Sequence, residues 1–438
     1  MFPFFNRTLL IFVLFLQPAL SFAQQFTEQN DISLPGFYHG SVQWGDYDND
    51  RDLDILISGR ITASQTVVKV FRNDGANTFT EQNDIFNPLI PFSTRYEKCS
   101  SVWRDINKDG AIDILINYPS DSGDNKLLIY ANKGDGTFEL KTSLSYVTMD
   151  DNSFDMGDYD NDGDEDIFVT TLFGSRIYKN SDDFSFTLTE NNSFKGLFKT
   201  SCRWVDYDND SDLDLFLAGS TISGDFANIY KNLDYNRLVV QDNISLRGFS
   251  SGSGEWGDYN NDGFPDLLIA SGNATLVYKN NCDNTFTALD GLMLKEVRDG
   301  FGKWADLDND GDLDILISGN YNTGTYITTI YINNGDDSFS ELTGESLSAC
   351  YDGFADLGDY DNDGDPDLII TGNTGTGFIC KIYKNNSSSS NPLPPAPSGL
   401  TSELQGSSVI LKWSQPASNN STGSLFSYNI KAGSTPGS

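Results

Sequence analysis

The stretch Trp44-Gly45-Asp46-Tyr47-Asp48-Asn49-Asp50-Arg51-Asp52-Leu53-Asp54-Ile55-Leu56-Ile57 decides the fold. It joins the end of one strand, Ser41-Val42-Gln43-Trp44, through an acidic turn to a nearly unbroken apolar run, Leu53-Asp54-Ile55-Leu56-Ile57, which suits a strand covered on both faces. The pattern W-x-D-x-D-x-D-G-x-x-D plus a hydrophobic run recurs seven times, with first aspartates at Asp46, Asp105, Asp158, Asp206, Asp258, Asp306 and Asp359. The period is about 52 residues, close to the spacing of four-stranded propeller blades. The expected class is therefore all-β, a seven-bladed β-propeller.

Outward from the turn, each period supplies a third strand (Val67 to Arg72 in the first) and a tight turn, Asn73-Asp74-Gly75, into a fourth, Thr78-Phe79-Thr80-Glu81. The last repeat stops after three strands, at Ile382-Tyr383-Lys384. The segment Gln25-Phe26-Thr27-Glu28-Gln29-Asn30-Asp31-Ile32 nearly copies the fourth strand of the first repeat. Residues 25–30 are thus expected to complete blade seven and close the ring, which protects two sheet edges. Trp44, Trp103, Trp204, Trp256 and Trp304 stand two residues before their first aspartates, with Met156 and Leu357 in the other repeats. At one per repeat they read as core between blades.

The ends of the chain differ in composition. Residues 1–23 carry Arg7, an apolar run from Leu9 to Leu16 and small residues before a cut after Ala23, the form of a secretory signal peptide. Residues 24–386 hold the propeller, and 387–397 are a Ser/Pro-rich linker. Residues 398–438, with Ser408-Val409-Ile410-Leu411-Lys412-Trp413 and Tyr428-Asn429-Ile430, resemble the first strands of a fibronectin type III domain and read as a truncated β-sandwich.

The turns carry the chemistry. Positions one, three and five converge on one point, and the ninth-position aspartate reaches back from the next strand, giving a hard, oxygen-only site of calcium type. The candidate metal ligands are Asp46, Asp48, Asp50 and Asp54; Asp105, Asn107, Asp109 and Asp113; Asp158, Asp160, Asp162 and Asp166; Asp206, Asp208, Asp210 and Asp214; Asp258, Asn260, Asp262 and Asp266; Asp306, Asp308, Asp310 and Asp314; and Asp359, Asp361, Asp363 and Asp367. About seven Ca2+ ions are expected, because three or four carboxylates in one loop repel each other unless a cation separates them. An EF-hand is excluded, since position twelve is Ile57, Ile116, Val169, Leu217, Ile269, Ile317 or Ile370 rather than glutamate.

These loops resemble the FG-GAP/VCBS-like repeats of the integrin alpha-chain propeller and of many exported bacterial proteins, over residues 24–385. The resemblance implies a seven-bladed propeller with calcium in the hairpin between each blade's first two strands. Phe-Gly stands only as Phe301-Gly302, and no Gly-Ala-Pro triplet is present, so integrin-type biology is not implied.

Composition bounds the partners. With 28 Lys+Arg against 63 Asp+Glu the net charge is −35, which argues against nucleic acid. The single histidine, His39, removes schemes needing two imidazoles. No stretch after the leader is long and apolar enough to span a membrane. Five scattered cysteines read as buried thiols, with Cys350 and Cys380 the nearest pair for a single bond.

The face opposite the calcium turns receives Phe37-Tyr38-His39, Phe92 with Arg95-Tyr96, Phe194-Lys195 with Phe198-Lys199, Arg247 with Phe249, and Lys295 with Arg298. Either these are exposed aromatics among cations, suited to a glycan or acidic polymer, or the aromatics tuck between blades. The reading is a secreted or cell-surface, monomeric, non-catalytic binding or adhesion module for a protein or polysaccharide. The alternatives are a calcium-dependent polysaccharide lyase, whose repeats some such enzymes resemble, and a structural spacer.

Overall fold

A computed structural model describes residues 25–88, 90, 93–94, 98–121, 125–146, 153–181, 184–189, 194–233, 237–387, 398–405 and 408–414. The signal-peptide reading, nearly all of the linker, the strand at Tyr428 and the residues Phe92, Arg95 and Tyr96 lie outside them. Every regular element among the described residues is a β-strand, and these form seven blades in a closed ring with one separate hairpin.

Blade one is the template: Tyr38–Gly45, Asp54–Thr62, Gln65–Asn73 and Phe79–Gln82 pair in sequence order as an antiparallel meander. The second strands (Asp54–Thr62, Asp113–Pro119, Asp166–Val169, Asp214–Thr221, Asp266–Ser271, Asp314–Asn322 and Asp367–Asn373) are almost wholly buried, as their apolar runs require. Blade two gains a fifth strand that the repeat pattern does not announce. Phe86–Asn87 pairs parallel to Phe138–Tyr146, held by the packing of Phe86 on Tyr130 and Phe138.

The ring closes as its sequence implies. Phe26–Glu28 pairs antiparallel with Phe378–Asn385, in the register Phe26 to Asn385, and supplies the fourth strand of blade seven. Phe26 is fully buried, and the carboxylate of Glu345 accepts the backbone N–H groups of Gln25 (2.8 Å) and Phe26 (3.0 Å).

The tryptophans lie between blades. Trp103, Trp204, Trp304 and Trp44 stack on Tyr47, Tyr159, Tyr259 and Tyr360, the second residues of the preceding blades' turns, at 5.7–6.0 Å between ring centres. Glycine before the turn makes room for the indole: a Cβ on Gly45 would lie 2.5 Å from Trp103.

First strands line the axis, around a cavity of about 280 Å³. Its wall is polar and of alternating charge. Asp155 accepts the backbone N–H of Trp204 (2.8 Å), Asp356 accepts the backbone N–H of Trp44 (2.9 Å), and ion pairs join Arg203 to Glu255 (3.2 Å) and Lys303 to Asp356 (2.8 Å). Each of these contacts crosses a blade boundary.

After the propeller, Ser398–Gln405 and Ser408–Ser414 form an antiparallel hairpin. All five cysteines are free and four are buried. Burial pushes the Cys99 and Cys202 thiols up to about 12 and the Cys350 thiol up to about 11, so these three are inert at neutral pH.

Because Phe26 fills a sealed position in the closing strand, Phe26→Ala is expected to destabilise the propeller by about 3–5 kcal/mol. Deletion of residues 25–31 should lower the melting temperature of the whole ring in one transition. Limited proteolysis confined to blade seven, with the remaining blades as resistant as before, would contradict closure through this strand.

Candidate metal centres

Each turn is built by its own aspartates before any ion is considered. In the first, the Asp46 carboxylate accepts the N–H groups of Asp50 and Arg51 (both 3.0 Å), and Asp50 accepts that of Asp52 (2.9 Å). The first-position bonds repeat in all seven turns, on Asp105, Asp158, Asp206, Asp258, Asp306 and Asp359. Such short-range bonds are the reason aspartate turns form readily.

The ninth aspartates are different. Asp54, Asp113, Asp166, Asp214, Asp266, Asp314 and Asp367 are completely buried. One oxygen accepts the N–H of the turn's second residue, as Asp54 does from Tyr47 (3.1 Å). The other accepts the N–H of an asparagine ending the third strand, as Asp54 does from Asn73 (2.8 Å). The same two bonds occur in every blade.

Carboxylate oxygens converge within 4.8 Å of one another in five turns: Asp46, Asp48 and Asp50; Asp158, Asp160 and Asp166; Asp206, Asp208 and Asp210; Asp306, Asp308 and Asp314; and Asp359, Asp361 and Asp367. Turns two and five carry Asn107 and Asn260 at the third position, and there the amide oxygen accepts the N–H of Asp109 (3.1 Å) or Asp262 (2.9 Å). One oxygen of Asp160, Asp208 and Asp361 is buried with no hydrogen-bond partner. Acceptors in that state fit a hard cation, and the all-oxygen donor set suits calcium or magnesium.

Two further sets of residues hold these turns in place. The first is the third-strand asparagine. Its side-chain amide donates to the second-residue carbonyl of the preceding turn: Asn73 to Tyr360 (3.0 Å), Asn132 to Tyr47 (2.7 Å), Asn232 to Tyr159 (2.6 Å), Asn280 to Tyr207 (2.7 Å), Asn333 to Tyr259 (2.8 Å) and Asn385 to Leu307 (3.0 Å). The second set is the fourth turn residue, held at φ between 55° and 60° in all seven turns. It reaches forward into the next turn, from Asn49 to the Gly110 carbonyl (3.3 Å), from Lys108 to Asp164 (2.7 Å), and so on around to Asn362 and Asp52 (2.9 Å). Seven such bonds form a closed circuit over one face of the disc. The signal was available: asparagine fills the fourth position in six repeats and the end of the third strand in all seven.

On the opposite face the second of the two readings holds for four aromatics. Phe37, Tyr38, Phe194 and Phe249 are buried between blades, because a strand-end ring gains more by covering the neighbouring sheet than by meeting water. Of the cations placed there, Lys195 lies 4.2 Å from the centre of the Phe226 ring.

With this geometry in view, the FG-GAP-like repeat model matches residues 105–169, 258–317 and 306–370, so the chain carries FG-GAP-like repeats in a seven-bladed β-propeller. No curated protein matches it. Among solved structures it is similar to an Agrocybe aegerita lectin described as recognising non-reducing terminal N-acetylglucosamine, at 20% identity over 68% of this chain and 78% of that one, with a TM-score of 0.47. It is also similar to BBS1N in complex with ARL6DN (10%, 83% and 98%, 0.49) and to the Photorhabdus luminescens Tc holotoxin pore (15%, 77% and 17%, 0.33).

Two outcomes follow from the turns. The sixth position has φ of 87–96° at Gly110, Gly163, Gly263, Gly311 and Gly364, but also 81° at Arg51 and 74° at Ser211. Arg51→Gly should therefore stabilise the protein by about 1 kcal/mol, read from the melting temperature at fixed free calcium. An unchanged melting temperature would mean that the strain is absorbed elsewhere.

The second outcome concerns pH. Burial raises the ninth aspartates in the metal-free protein, to about 7 at Asp54, Asp166 and Asp314 and about 8 at Asp214, Asp266 and Asp367, against the opposing backbone N–H bonds. A raised carboxyl contributes stability that is complete below its unfolded pKa near 4 and is lost as pH rises through the folded value. The melting temperature of metal-free protein should fall between pH 5 and pH 8, and saturating calcium should flatten that slope. A rise over this window without metal would oppose the assignment.

Proposed function

We propose that this chain is an exported, calcium-binding propeller that acts as a non-catalytic binding or adhesion module for a protein or polysaccharide. In this reading residues 1–23 direct export, 24–386 form the module, 387–397 are a linker and 398–438 begin a fibronectin-like domain. Calcium takes the carboxylates and amide oxygens of the seven turns and fixes that face, leaving the other for a ligand. Among the described residues no helix is long and apolar enough to cross a membrane.

The observation that carries the ligand assignment is a groove of about 960 Å³ between blades five and six. The strand directions place it at the end of the blades away from the turns. Met293 and Tyr321 are exposed beside it, Lys295 pairs with Glu341, and Arg298 also lines it. The Asn320 side-chain oxygen is buried without a donor. An aromatic surface, a cation and an unpartnered acceptor together suit a polyhydroxylated or acidic ligand.

Metal analysis after dialysis into millimolar calcium should find well over four ions per chain, and two or fewer would oppose the calcium reading. Calcium-loaded protein screened against glycans and extracellular-matrix proteins should yield a ligand whose binding falls at least about tenfold in Arg298→Ala or Tyr321→Ala. A ligand indifferent to both substitutions would move the site elsewhere, and no binding to either class would favour the spacer.

A further inference from the structure

The residue just before the third-strand asparagine occupies the same place in every blade, beside the turn. In blades three, four and seven it is a lysine whose ammonium enters the turn. Lys179 pairs with Asp160 and with Asp162 (2.9 Å), Lys231 with Asp208 and with Asp210 (3.0 Å), and Lys384 with Asp361 and with Asp363 (2.7 Å). Each lysine thus bridges the third and fifth positions, while the second oxygen of the third-position aspartate stays buried and unpartnered. Asp208 shows the arrangement best, with its side chain only 6% exposed.

Among the described residues, the other blades place no cation from this position in ion-pair contact with the turn. Arg72 of blade one pairs with Asp74 (2.6 Å), and Lys279 of blade five turns away to Asp337 (2.9 Å). Blade two has Ala131 at this place, in a repeat with one fewer carboxylate because of Asn107, and blade six has Ile332, in the repeat with the full set Asp306, Asp308, Asp310 and Asp314.

We propose that Lys179, Lys231 and Lys384 are tethered counter-cations that make the turns unequal in their dependence on divalent ions. Turns three, four and seven keep their shape without an ion and bind it more weakly, because a fixed positive charge already offsets their carboxylates and repels a second cation. Turn six, with four aspartates and Ile332 in place of that lysine, is the tightest site and the one the ion stabilises most. This rests on the metal reading of the turns given above.

The test uses the mature chain with calcium alone as the probe. Lys231→Met should strengthen one class of sites by about tenfold in calorimetric titration and lower the melting temperature in EDTA. Ile332→Lys should do the reverse, weakening the tightest class by about tenfold and raising the melting temperature in EDTA. Hydrogen exchange of the unsubstituted protein adds a readout independent of the variants: calcium should slow exchange at residues 306–314 more than at 206–214. An equal calcium-induced slowing in the two turns, or a Lys231→Met variant with unchanged or weaker calcium binding, would overturn the proposal while leaving calcium binding itself intact. If the unsubstituted protein takes up no calcium, the metal reading fails first and this inference falls with it.

Discussion

Seven fully buried carboxylates, one per blade, are the constraint around which the rest is arranged. An unpaired charge in such a place would cost several kcal/mol, so each ninth-position aspartate must be met by donors on every side. Two backbone N–H groups meet it, one from its own turn and one from the end of the third strand. That requirement fixes how the turn lies on the blade. It also brings the third-strand asparagine to the point where its amide can reach the preceding blade. Tyrosine at the second position, delivered by the same bond, becomes the platform for the next blade's tryptophan. Local turn chemistry, blade geometry and contact between blades thus converge on a single oxygen pair.

The period, the strand order and the closing strand were legible because each is written in local sequence or in a near-copy. Gln25 to Ile32 nearly repeats the segment at Thr78 to Ile85. The clustering of the turn aspartates was legible for the same reason, since they occur within nine residues of one another. What escaped the reading lies between repeats. Asn333 looks like a turn former until its amide is found on the Tyr259 carbonyl, 74 residues earlier. Lys231 looks like a solvated strand residue until the fold carries it to Asp208. Phe86 gives no strand signal, because what holds it is packing against Tyr130 and Phe138 rather than its own neighbours. The aromatics of the far face were ambiguous in sequence because a ring at a strand end serves equally as a stacking surface or as packing against the adjoining sheet.

The acidic balance of the chain is distributed unevenly in space. Several of its few cations are consumed internally: Arg203 and Lys303 in the axial wall, and Lys179, Lys231 and Lys384 in the turns. Salt should therefore affect long-range repulsion between turns more than these internal pairs, which are held at short range and partly shielded from water.

Closure of the ring through Phe26–Glu28 has a mechanical side. The partner strand runs antiparallel, and the Gln25 carbonyl accepts the N–H of Asn386 at 2.7 Å, so the polypeptide enters and leaves the disc at the same end of one two-stranded ladder. Tension between residue 25 and residue 387 loads that ladder by peeling, one hydrogen-bonded pair at a time, rather than by shear across the whole register. The disc hangs from a single hinge-like seam. Under a pull the six other blades bear little force, and the seam in blade seven is where the molecule yields first.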